Sequence, residues 1–336
     1  MHLGGFTPWE WLSIIQMELL LFAGVFFLVG ALDEFAIDLI WLWNRLNGKI
    51  RTIRLKNTEA TERSLSAPAA IFVPAWREEE VIGSTIRHML EVWRHPELRL
   101  YIGCYRNDSQ TIRAVVDAVR EDIRLRLVIH DVNGPSTKAD CLNRLYAALR
   151  EDEQRSGHMA NMVVLHDAED MVDPAALGVL DEAVREAEFV QLPVMPMSQR
   201  DSRFIGGHYI EEFAESHTKA MVVRDYLRAS LPSAGVGCAI RRSVLQDMTA
   251  QHRSGPFSAE SLTEDYELGL RIHEAGYRSR FVRVRTQEGR LIASRSYFPA
   301  NLQQAVRQKT RWVHGIALQG WDRTGWGKGN LETWMR

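Results

Sequence analysis

Twenty-two consecutive residues near the N-terminus, Trp11 to Leu32, carry one charge between them, Glu18. About 20 apolar residues cross the hydrocarbon core of a bilayer, so this stretch predicts a single transmembrane helix over residues 11–32. No Lys or Arg precedes Arg45, whereas Arg45, Lys49, Arg51, Arg54, Lys56 and Arg63 follow within 19 residues. Basic flanks stay on the cytoplasmic side, which puts the rest of the chain in the cytoplasm and the N-terminus outside. The rival reading is a cleaved signal peptide with Val29-Gly30-Ala31 as its cleavage site; the basic flank behind the run, and none ahead of it, favour the anchor. Trp9, Trp11, Trp41 and Trp43 flank this segment, and Trp312, Trp321, Trp326 and Trp334 crowd the last 25 residues. Tryptophan prefers the membrane interface, so both ends of the chain are expected to touch lipid; ordinary core or carbohydrate-stacking Trp is the alternative for the second group.

The remaining length suits one large α/β domain. A net charge of -2 over 336 residues argues against a nucleic-acid binder, which needs a dominant basic face. Cys104, Cys141 and Cys238 lie far apart in no metal-binding spacing and read as core thiols in a reducing compartment.

From Ala69 onward, strand-like runs ("AAIFVPA", "LRLYIGCY", "LRLVIHDV", "MVVLHD", "FVQLPV") alternate with amphipathic stretches at 78–94, 109–122 and 138–152. That alternation predicts a mostly parallel sheet with helices on both faces, whose ligands bind at the carboxyl ends of the strands. Those ends are polar: Pro74-Ala-Trp-Arg-Glu78, Tyr105-Arg-Asn-Asp108, Ser136-Thr-Lys138 at a helix start, and the acidic cluster Asp167-Ala-Glu169-Asp170. Glu78, Asp108, Lys138 and Asp167 along one edge make a slot suited to a nucleotide diphosphate bound with a divalent cation.

A departing diphosphate gathers charge on its oxygens. Mg2+ or Mn2+, held by one or two carboxylates plus the phosphates, neutralises it. Asp167 with Glu169 or Asp170 fits that need, although acids after a strand are more often a solvated loop, and Asp173-Pro174 could cap the next helix. Lys138 at a helix N-terminus would face an anion, and no Walker-type glycine loop is present. In "SLTEDYELGLRIHEAGYR", Ser261 and Glu264 have capping-box spacing, which sets Glu264 and Asp265 in a first helical turn. They either complement the helix dipole or supply a general base separate from the metal carboxylates. Pro299 suits a first helical position in "PANLQQAVRQKTRWVHGIALQGW", whose Gln308, Arg311 and Trp312 share one face. The guanidinium can fork onto phosphate and the indole can stack on a sugar.

In this order the stretches "VPAWREEE", "KADCLN", "DAED", "LTED" and "RQKTRW", spanning 71–312, resemble the VPxxNE, KAxxLN, DxD, TED and QxxRW motifs of the processive family 2 glycosyltransferases. The resemblance implies a GT-A fold (Rossmann-like, a mostly parallel sheet with helices on both faces) and inverting transfer from a UDP-sugar or other nucleotide sugar to a growing polysaccharide at the bacterial inner membrane, with the N-terminus periplasmic. It implies Pro74, Glu78, Asp108, Lys138 and Asp167 as nucleotide contacts, and Asp167 with Glu169 or Asp170 as metal carboxylates for Mg2+ or Mn2+. Asp265 would be the base with Glu264 beside it, and Gln308, Arg311 and Trp312 would clamp acceptor and diphosphate. Three departures stand out: Arg77 replaces the usual Asn, the strand-two Asp-Asp-Gly is missing, and DxD is DxE.

The expected division is 1–66 for the membrane helix and juxtamembrane segment, 67–298 for the GT-A domain, and 299–336 for the QxxRW helix and a Trp-rich interface segment. Processive relatives continue into further membrane helices. The chain is therefore expected to be a catalytic fragment, or to use further membrane or secretion subunits as its conduit. The alternatives are single-sugar transfer to a lipid phosphate, and a non-catalytic membrane scaffold or phage receptor component.

Overall fold

The computed structural model describes residues 5–55, 64–119, 121–251 and 255–336, so Lys56, Arg63 and the residues between them lie outside the described residues. The chain forms two compact units, Met1–Arg51 and Thr52–Arg336.

In the first unit, the expected span and the amphipathic stretch after it are one helix, Pro8–Leu46, of 39 residues. Pro8 opens it and Thr7 caps it, while Glu10 reaches back to accept the Thr7 backbone N–H at 2.6 Å. No proline interrupts the helix before Asn47 ends it, so the apolar span 11–32 lies within one continuous helix. By length and composition it can cross a membrane.

The second unit contains strands β1 (Ile53–Arg54), β2 (Ala69–Pro74), β3 (Leu98–Tyr105), β4 (Leu125–His130), β5 (Met162–Leu165), β6 (Phe189–Gln191), β7 (Val194–Pro196), β8 (Cys238–Arg241), β9 (Ser279–Phe281), β10 (Val284–Arg285) and β11 (Ser294–Ser296). Seven of them make the central sheet in the order β4-β3-β2-β5-β8-β6-β9. All neighbours are parallel except those of β8, which runs antiparallel to both β5 and β6. Parallel strands need both faces covered, and β2 and β5 are correspondingly continuous apolar runs. One face packs on Trp93, Ile86 and Leu177, the other on Tyr146, Leu145 and Leu245. Cys104, Cys141 and Cys238 are buried free thiols.

Three local expectations are corrected. "FVQLPV" is not one strand: β6 ends at Gln191, and β7 leaves to pair with β11, because Pro193 cannot donate to a ladder. Ser261 does not cap the Glu264–Glu274 helix; Thr263 holds the cap position, and the Ser261 hydroxyl accepts the Thr263 N–H at 3.3 Å. Pro299 lies ahead of the Leu302–Val313 helix, which is capped by Asn301 accepting the Gln304 N–H at 3.0 Å.

Candidate active site

Because β2, β3, β4 and β5 are parallel, the loops after them open on one edge. The register pairs Pro74 with Gly103, Tyr105 with His130 and Phe72 with Leu165. Pro74 closes β2 and turns the chain toward Glu78, whose backbone N–H donates to the Thr111 hydroxyl at 3.0 Å. Arg77, where the family has Asn, takes φ +58°, and its N–H donates to Asp108 at 2.6 Å. The other Asp108 oxygen accepts the Thr111 N–H at 3.3 Å, so this buried carboxylate ties two strand ends together. Beside it Trp76 meets Tyr105 edge-on at 5.2 Å, and Tyr105 stacks on His130 at 5.2 Å.

Lys138 is the first residue of the Lys138–Ser156 helix, which is capped by the Thr137 hydroxyl. Its Nζ stands 2.5 Å from Asp167 Oδ1. Burial opposes its charge, but the carboxylates of Asp167, Glu264 and Asp265 outweigh burial and hold its pKa well above the usual range. The first acidic cluster, after β5, thus contacts this ammonium through Asp167, and the second, in the Glu264–Glu274 helix, acts on it electrostatically.

Within the first cluster the roles separate. Asp170 is buried, and one of its oxygens accepts both the Asp167 N–H at 3.0 Å and a hydrogen bond with His166 Nδ1 at 2.9 Å. One oxygen of that carboxylate is occupied in shaping the turn, and Asp167 is the more exposed of the two. The Glu169 carboxyl is pushed up to about 7 by burial and by the charges of Asp167 and Glu78. Glu78 is itself raised by burial and Asp167.

Among the described residues, no group of three or more His, Cys, Asp or Glu side chains is arranged to hold a metal ion unaided. Mg2+ and Mn2+ do not need one, since they take one or two carboxylates and fill their remaining positions with water and phosphate. The donor chemistry here fits. Two hard carboxylates crowd each other, and a lysine cation already stands against one of them.

Asp265 lies in a first helical turn, its Oδ1 accepting the Tyr266 N–H at 2.8 Å. Glu264 is buried and pushed up to about 7 by burial and by Asp265, against the opposing pull of Lys138 and Arg311. Arg311 therefore acts on Glu264 as well. The Leu302–Val313 helix that carries it continues through a π-helical segment, His314–Gly320, into the Trp321–Thr324 helix. Gln319 clamps the acidic loop, accepting the Leu262 N–H and donating to the Glu260 carbonyl, both at 2.9 Å. Gly315 lies so close to Thr263 that a Cβ would meet its methyl at 2.7 Å. Gln308 is half-buried, and its Oε1 has no hydrogen-bond partner among the described residues. Trp312 packs edge-on against Tyr209 at 6.2 Å, with the Lys309 ammonium 4.8 Å from its ring and paired to Glu212.

Sequence reasoning missed Gly235, Gln319, Lys309 and Glu212. A turn-rich "SAGVG" ahead of the apolar "CAIR" was the available signal for the first; the others depend on long-range packing.

A model of the family described as glycosyltransferase like family 2 matches residues 67–315. Bacteriophage adsorption protein B of Escherichia coli K12 and Bacteriophage N4 adsorption protein B of Escherichia coli O157:H7 are each 32% identical over 94% of this chain. The chain spans 45% of the length of each. Among solved structures, a mannosyltransferase from Pyrobaculum calidifontis in complex with GDP-Man and Mn2+ shares the fold with a TM-score of 0.61 at 17% identity, over 89% of this chain and 75% of that one. Matched along most of its second unit and built on the same GT-A architecture, the chain belongs to the glycosyltransferase-like family 2.

Proposed function

We propose that the chain is the catalytic part of a membrane-anchored inverting glycosyltransferase that moves a sugar from a UDP-sugar or other nucleotide sugar to the end of a growing polysaccharide. The observation that carries this reading is the pair of Lys138 and Asp167, on whose ammonium the carboxylates of the second acidic cluster also act. Asp265 takes the proton of the acceptor hydroxyl as its oxygen bonds to the sugar's anomeric carbon and the bond from that carbon to the diphosphate breaks. Lys138 and Arg311 meet the negative charge that then gathers on the leaving group. Asp167 and Glu169 would hold Mg2+ or Mn2+, which supplies further charge neutralisation when bound. Glu78 and the Trp76–Tyr105 platform face the strand-end edge where base and ribose would lie, and Gln308 and Trp312 border the acceptor side.

Anchoring is assigned to the Pro8–Leu46 helix. The basic residues after it keep the second unit on the cytoplasmic side of the inner membrane, with the N-terminus periplasmic. We take 67–298 as the GT-A domain and 299–336 as the clamp helix with its interface segment, and further membrane or secretion subunits as partners. A second reading, single-sugar transfer to a lipid phosphate, draws support from Leu302, Val306 and Val313, exposed on the helix that carries Arg311. The test is a screen of nucleotide sugars for Mn2+-dependent release of nucleoside diphosphate, with product length measured under saturating donor. Long products favour the polysaccharide reading and single additions the lipid one. No release from any donor, or undiminished release by Asp265→Asn, rejects both.

A further inference from the structure

We propose that Lys138 is a built-in counter-ion that keeps the cation's place beside Asp167 and leaves it for the donor's diphosphate, so that nucleotide and divalent metal must bind together. The proposal rests on the reading of Asp167 as a metal carboxylate.

The ammonium of Lys138 stands 2.5 Å from Asp167 Oδ1. An ammonium and a divalent cation cannot both approach one carboxylate that closely without strong mutual repulsion, so a metal arriving alone must first displace the lysine. The backbone of Lys138 is fixed: Thr137 caps the helix, accepting the Asp140 N–H at 3.2 Å, and Ala139, Cys141 and Leu142 are buried behind it. Only the four-carbon stem is free to re-aim, and a lysine stem readily does so.

The groups facing this ammonium decide where it can go. Asp167 lies on one side, and Glu264 and Asp265 act on it from the second acidic cluster. Leaving Asp167 therefore does not strand the charge, because the second acidic cluster still acts on it. A diphosphate at the N-terminus of the Lys138–Ser156 helix would offer a further partner, favoured there by the positive end of the helix dipole. With the lysine drawn to the diphosphate, Asp167 becomes available beside Glu169. By linkage, nucleotide that tightens metal binding is itself bound more tightly by the metal-loaded site.

A lysine that is merely a nucleotide contact would behave differently. Its removal would weaken nucleotide and leave binding of metal alone unchanged, whereas a counter-ion's removal should strengthen binding of metal alone.

The experiment measures Mn2+ binding to the detergent-solubilised full chain by electron paramagnetic resonance of free Mn2+, without nucleotide and with saturating UDP or GDP. Wild type is expected to bind Mn2+ at least about fivefold more tightly with nucleotide, beyond what protein-free blanks give. Lys138→Gln should bind Mn2+ alone at least about fivefold more tightly than wild type, and Lys138→Arg, which keeps the charge, should match wild type. Unchanged or weaker binding of Mn2+ alone by Lys138→Gln overturns the counter-ion role while leaving the metal site standing. If that variant does not fold, wild type still decides: Mn2+ affinity independent of nucleotide overturns the proposal. No Mn2+ binding by wild type under any of these conditions rejects the metal site itself, and this inference with it.

Discussion

Gly235 lies directly against the carboxylate of Asp265: a Cβ in its place would stand 3.0 Å from Cγ and overlap Oδ2. Its φ of +75° belongs to the left-handed region, and its N–H donates to the Ser233 hydroxyl at 3.1 Å, so the loop is held there by more than the absence of a side chain. The glycine thus reserves the space in which the Asp265 carboxylate, the proposed base, sits. Gly235→Ala is expected to lower kcat by about 10²-fold or more, the order of a general base's contribution, with nucleotide affinity little changed. Steady-state kinetics beside calorimetry separates the two, and an unaltered kcat would remove Asp265 from the base role.

Asp170 and Asp167 stand three residues apart and should respond oppositely. Asp170 accepts from His166 and from the Asp167 backbone inside the fold, so Asp170→Asn leaves buried polar atoms mismatched and should cost about 1–3 kcal/mol of stability without any metal present. Asp167→Asn removes a part-exposed carboxylate and should leave metal-free stability nearly unchanged while abolishing Mn2+ binding. Chemical denaturation of both variants, with and without Mn2+, checks the pair. Equal stability losses would mean that Asp170 is not the turn's structural member.

Much of this arrangement was readable in advance because it is local. β3 occupies the same eight residues as the run "LRLYIGCY", since a strand buried on both faces is a continuous apolar word with polar ends. The four strand-end motifs follow from one rule, that parallel strands open their loops on a single edge. β8 escaped because it is four residues long and antiparallel, inserted between β5 and β6. Asp108 and Asp170 illustrate a second limit. Spacing places a carboxylate near a site but does not say whether backbone N–H groups have already claimed it. The clamp on the acidic loop by Gln319 joins positions 57 residues apart, and no local pattern carries such a contact.

Acidity in the site has a definite sign. Glu264 is pushed up to about 7 by burial and Asp265, and Glu169 to about 7 by burial, Asp167 and Glu78. In both, the folded protein keeps a proton that the unfolded chain releases near 4.5. The stability tied to those protons is therefore complete below about pH 4.5 and is lost as pH rises through about 7. Melting of the metal-free protein should fall across that interval. Mn2+ affinity should climb over the same range, because the cation takes the place of a proton. Thermal unfolding with and without Mn2+ tests this; an affinity flat with pH would contradict it.

A control for all of these lies away from the strand-end edge. Arg242 grips Glu153 through two nitrogens, at 3.0 and 2.8 Å, and donates from its third to the Tyr146 hydroxyl at 2.9 Å, with its guanidinium over the Tyr146 ring. Glu153 is 8% exposed and Arg242 4%, so neither charge has water to fall back on. Removing one partner strands the other, and Glu153→Ala should destabilise the protein by about 3–5 kcal/mol. Replacing both with methionine restores a neutral interior of similar volume and should recover most of that loss. Nucleotide and Mn2+ affinities of the folded variants should stay within about twofold of wild type, since Glu153 lies near the far end of the helix that Lys138 begins. Denaturation curves for the two singles and the double, set beside Mn2+ titrations, complete the cycle. A large loss of Mn2+ binding in Glu153→Ala would show that the site's geometry depends on the distant end of this helix as well as on its first turn.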